Sequence, residues 1–169
     1  MKENIEAYHI AEKQEALFMI IWGGLWLIVG VVMLLQAEEA LYVGIAYSII
    51  PLCGLQFVGG WRNMIAYTRR YRQIVEMLKQ EEKKMGELEK IRILNIQIRL
   101  RFYRLAEQIL FGLGFLFLLL GGLGGWSVFL TGSGIGLLLM SAVLLVQDLF
   151  AEWRSGIYLS ELQSFIDDE

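Results

Sequence analysis

At 169 residues, with 56% of them hydrophobic, a mean hydropathy of +0.51 and 18 glycines, this chain lies far from the composition of an average soluble domain. Its 15 basic and 18 acidic residues leave the middles of four long apolar runs untouched, at 16–36, 40–60, 105–125 and 127–147. A soluble core and a disulfide-stapled fold are thereby disfavoured, since the one cysteine, Cys53, sits inside an apolar run without a mate.

The first fifteen residues mix both charges and net −2. They make a poor signal-peptide start, and 35–37 is a poor small-residue cleavage site, so the first run is expected to stay in the mature chain. Each apolar run has about the 20 residues that a helix needs to cross a hydrocarbon core of about 30 Å. Helices are expected rather than barrel strands, because a lone run in lipid must satisfy its own backbone hydrogen bonds. The expected fold is therefore an all-α integral membrane protein with four transmembrane helices in two hairpins, over 1–60 and 105–147, joined by a basic segment at 61–104 and followed by an acidic tail at 148–169.

Charge sets the expected topology. Residues 61–106 hold twelve of the fifteen Lys and Arg against five Glu, a net of +7, while the rest of the chain has three bases against thirteen acids. Short loops rich in Lys and Arg stay cytoplasmic, so both termini and the 61–104 segment are expected on that side. Trp61 with Arg62, and Trp153 with Arg154, stand where the second and fourth helices leave the membrane, as interfacial anchors. Sliding the chain by 92 positions aligns these two pairs, and also Glu15 with Glu107, Gly30 with Gly122, Gly44 with Gly136 and Leu52 with Leu144. That suggests a parallel tandem repeat, unlike the inverted repeats of many secondary transporters.

The basic segment has to leave the membrane and return. Its one glycine, Gly86, follows Lys83 and Lys84 and precedes Glu87, which is helix-stop and helix-start chemistry and predicts the turn there. Met64, Thr68, Tyr71, Val75, Leu78, Glu82 and Met85 on the first arm, and Leu88, Ile91, Asn95, Ile98, Phe102 and Leu105 on the second, repeat at alternating three- and four-residue steps. Those are coiled-coil steps and predict an antiparallel helical hairpin, with Asn95 on its seam. The second arm carries another apolar stripe on its opposite face: Ile93, Ile96, Leu100 and Tyr103. It is the candidate interaction stripe, to be covered by a second subunit first, and otherwise by a partner or by the chain's own tails. A strict alternation over 94–102 also fits a strand, but an isolated strand has no stability, so helix is expected. In the C-terminal tail, Tyr158, Leu162, Phe165 and Ile166 give an amphipathic face that suggests docking on the basic arms.

No Asp, Glu, Lys or Arg lies mid-span, and no nucleophile–base pair, phosphate loop or zinc spacing occurs. His9 and Glu12 form a single His-x-x-Glu, without the second copy a bundle metal site needs. No enzyme activity, cofactor or metal is therefore expected. Gly44, Ser48, Gly132 and Gly136 are the candidate helix-packing residues, because small residues one turn apart let helix backbones approach. Tyr47 and Gln56 are the candidate pore or polar-contact residues, and Pro51 is expected to kink helix two. The expected role is that of a small polytopic protein acting by protein–protein contact, accessory, assembly, regulatory or protective, and self-associating. The alternative is an oligomeric channel or small-solute transporter. Its expected partners are membrane lipids, with anionic headgroups at the basic arms, a second copy or another membrane protein, and no nucleic acid.

Overall fold

The computed structural model describes the backbone of residues 2–77, 82–125 and 127–167, and the side chains of 7–70, 86–125 and 127–164. Four helices carry the described chain: α1 (Lys2–Gln36), α2 (Ala40–Met77), α3 (Glu82–Leu118), which widens into a π turn over Leu119–Leu123, and α4 (Val128–Asp167). All four contain a stretch long and apolar enough to cross a membrane, so the chain is an all-helical protein of multi-pass membrane type. The alternating stretch at 94–102 is helical, and no strand occurs among the described residues.

At 35 to 40 residues the helices are nearly twice as long as a span requires. The surplus gathers at one end. Connections at 37–39 and around Gly124 are short, so both helix pairs turn tightly at the far end. Gly124 N–H reaches back to the Leu119 carbonyl at 3.1 Å, and Gly125 reverses the chain with φ +63°, a conformation glycine adopts freely. Trp126 lies outside the described residues. At the opposite end, the start of α1, the end of α2, the start of α3 and the end of α4 project together, and this is called the basic end below.

The bundle is ordered α1, α2, α4, α3. Short connections make α1 antiparallel to α2 and α3 antiparallel to α4. The inner pair, α2 and α4, runs parallel: Ser48 meets Ser133, Cys53 meets Met140 and Gln56 meets Gln147 in step down both helices. α2 passes through Pro51 without a break, and the proline ring faces out of the bundle.

Two expectations for the basic segment need correcting. Gly86 is not the turn; it lies inside α3, and residues 78–81, between α2 and α3, lie outside the described residues. A coiled coil between the two arms is not formed by the described residues, because α2 and α3 barely touch and the α3 seam from Leu88 to Leu105 is exposed. The two acidic tails are described from Lys2 and as far as Asp167. They continue α1 and α4 as helix, and α4 is the neighbour against which the α3 arm packs.

Candidate functional site

Where α1, α3 and α4 meet at the basic end, the stripe on α3 becomes a core. Ile93 is 0% exposed and packs with Tyr8 of α1 and Tyr158 of α4, with Ile96 and Leu159 against them. Removing one such isoleucine from water stabilises the fold by about 2 kcal/mol. The two tyrosine rings stack at 4.2 Å and 10°. Leu100, one further step along the stripe, is buried as well, whereas Tyr103 is half exposed. The chain's own terminal helices thus cover the first three stripe residues, leaving only Tyr103 available to a second subunit.

Charged residues fasten the same junction. Arg92 of α3 donates from Nε and Nη2 to the two carboxylate oxygens of Glu89, at 2.9 and 2.6 Å, and from Nη1 to Glu12 of α1 at 2.9 Å. His9, fully buried, lies between the same two carboxylates, with Nδ1 3.2 Å from Glu12 and Nε2 3.8 Å from Glu89. The guanidinium groups of Arg92 and Arg154 both stand over the Tyr8 ring, at 5.8 and 5.9 Å. Arg154 of α4 pairs with Glu15 of α1, and Arg104 of α3 pairs with Glu152 of α4. One turn nearer the apolar half, the antiparallel register of that last pair brings buried Glu107 to the level of Asp148.

The expected anchors therefore divide. Trp61, Arg62 and Trp153 face outward, but Arg154 turns into the bundle to meet Glu15. His9 and Glu12 are used for an ion-paired junction with Glu89 and Arg92. Among the described residues, no group of three or more His, Cys, Asp or Glu is arranged to hold a metal ion. The signal for this junction lay in the sequence as two i,i+3 pairs, His9 with Glu12 and Glu89 with Arg92. Each pair places both members on one helix face, the second beside the inner stripe.

In the apolar half, the candidate packing residues all lie on the α2–α4 contact. A Cβ on Gly132 would collide with the backbone of Leu41, and one on Gly44 with the backbone of Phe129 and Ser133. On Gly136 it would come within 2.9 Å of both the Ile45 carbonyl oxygen and Ser48 Cβ. Ser48 Oγ donates to the Ser133 carbonyl at 2.9 Å, and Ser133 Oγ returns a bond to the Gly44 carbonyl at 3.3 Å. Further along, Ile49, Cys53 and Met140 form a buried cluster, and Gln56 donates to Gln147 Oε1 at 2.9 Å. Small side chains with cross-helix hydroxyl and amide bonds are how helices associate where water supplies no hydrophobic drive.

Tyr47 and Gln56 are not brought together. Gln56 is 3% exposed at the α2–α4 contact, whereas Tyr47 is 60% exposed, with its ring edge-on to Phe129 at 5.8 Å. Nine residues apart on a helix of 100° per residue, the two point to opposite sides, a phase the sequence already contained.

Compared with known proteins, the chain matches no family model, no curated protein and no solved structure.

Proposed function

We propose that this chain is a non-enzymatic membrane protein that acts through protein–protein contact, in an accessory, assembly, regulatory or protective role. Its basic end lies in the cytoplasm together with both termini, following the Lys and Arg bias. Its two hairpins are parallel copies of one unit, and bases on the arms meet anionic headgroups. The observation that carries this reading is the α2–α4 contact. Backbones touch at Gly44, Gly132 and Gly136, and the amides of Gln56 and Gln147 are bonded to each other, so the inner pair leaves no lumen between them. Polar side chains at the basic end likewise bond one another across helices, and the outer surface is apolar along most of its length.

A flux measurement tests the proposal. Purified protein in vesicles loaded with a potassium- or proton-sensitive dye is expected to pass no more ion than empty vesicles. Flux that depends on protein and disappears in Gln56→Leu would overturn the contact reading in favour of a conducting assembly.

A further inference from the structure

The inner face of α3 is filled by α1 and α4, while its opposite face is not. Leu88, Ile91, Ile98, Phe102 and Leu105 are 51 to 68% exposed, and exposed Asn95 completes their row. Steps of 3, 4, 3, 4 and 3 between successive members are those of heptad positions a and d. The buried Ile93 and Leu100 then fall at f, on the far side of the helix from the seam. α3 is thus built with two faces, one spent inside the molecule and one left over.

Lipid cannot cover the outer part of the left-over face. Leu88 lies 17 residues before Leu105, where the apolar run begins, and so stands roughly 25 Å beyond the hydrocarbon edge at 1.5 Å per residue. The headgroup layer on one side of a bilayer is only about 5–8 Å deep. Leu88, Ile91 and Ile98 therefore stand in water unless protein covers them.

We infer that the a/d face of α3 is a homodimer seam, along which α3 of a second copy lies parallel to the first. Four features select a second copy over an unrelated partner. Two copies inserted the same way in one membrane are necessarily parallel, so Asn95 at an a position meets its own counterpart, the pairing by which a polar a residue fixes register and a two-stranded state. The flanking charges tolerate that arrangement. In a parallel pair each g residue faces the e′ residue five places on, which sets Glu87 near Arg92 of the second copy, Leu94 against its Arg99 and Arg101 against its Ala106, so no two bases confront each other. The same steps continue into the apolar half through Ile109, Gly112 and Leu116. A Cβ on Gly112 would meet nothing within 4 Å, so its missing side chain serves no contact inside the chain and leaves room for a neighbouring backbone. Finally, the exposed side chains from Leu88 to Leu116 offer an area of the order of the ~800 Å² per partner that specific interfaces bury.

The inference rests on the contact reading above and names the contact. The full chain with Cys53→Ala, in nanodiscs or native membranes, provides a cysteine-free background for single cysteines. Mild oxidation is expected to yield disulfide-linked dimers for Asn95→Cys and Ile98→Cys, and none for Ser160→Cys on exposed α4. The native chain should have a two-copy mass, and Ile98→Glu with Phe102→Glu should reduce it to one copy with helix content unchanged. A one-copy native mass, equal crosslinking at Ser160, or no crosslink at either seam position would overturn the seam. Flux in vesicles with the seam crosslinks intact would instead remove the contact reading and leave the seam standing. Absence of both crosslinks and flux would remove the seam and leave a contact protein with an unlike partner.

Discussion

The two ends of the bundle hold the same helices together by opposite means. In the apolar half, the α2–α4 contact is built mainly from glycines, serines and a small cluster of Ile49, Cys53 and Met140, and affinity comes from backbone proximity and a few hydroxyl and amide bonds. At the basic end the contact is made of large groups: Tyr8 stacked on Tyr158, Ile93 beneath them, and Arg92 across two carboxylates. Solvent explains the difference. Burying a tyrosine or isoleucine is favourable only where the alternative is water, whereas within lipid the alternative is equally apolar and only close packing distinguishes the bound state. Where the helices emerge, the packing chemistry changes with the medium.

Substitutions that disturb one half alone make this contrast measurable. Gly132→Leu should have the largest effect, because the added side chain meets Leu41 backbone, which cannot rotate away. Overpacking of this kind typically costs 1–3 kcal/mol and more where backbone is struck, so loss of folded protein in a detergent melt is expected. Arg92→Ala comes next. It leaves Glu12 and Glu89 largely buried without their cation and should destabilise by about 3 kcal/mol, at the low end for a broken buried pair because Arg92 retains some exposure. Limited proteolysis should then cut the terminal parts of α1 and α4 while the apolar half stays resistant; equal protection of both ends would dissolve the proposed division. Gln56→Leu, which strands the Gln147 amide, should cost about 1–2 kcal/mol by thermal unfolding. Tyr47→Leu, on the outer face, should change the melt by less than about 0.5 kcal/mol.

Much of the apolar half was legible in the sequence. Run length gave the four helices, and the small-residue spacing of Gly44, Ser48, Gly132 and Gly136 marked faces suited to close packing, though not that those of the second and fourth helices would meet each other. Periodicity at the basic end showed which α3 residues share a face but could not show which face was taken. Both stripes of the α3 arm are apolar, and the arm of α2, nearest in sequence, seemed the natural partner for one of them. What decides the matter is that α1 and α4 remain helical beyond the membrane and bring Tyr8 and Tyr158 to Ile93, a long-range juxtaposition that no local pattern encodes. Gly86 misled for a local reason. A glycine inside a helix costs only about 1 kcal/mol relative to alanine, so stop chemistry around it does not by itself end a helix flanked by good formers. Tyr47 and Gln56 were grouped by composition, although their helical phase separates them.

α1 and α4 have no break between the docked arms and the bilayer. Each is a single stiff rod, so its two ends cannot move independently. Anything that pries the N-terminal arm from Arg92, whether a bound protein, a fused domain or a pull on the terminus, applies leverage to the helix deep in the membrane. The ends of this chain are handles on its interior, and a reporter attached there would register repacking tens of ångströms away.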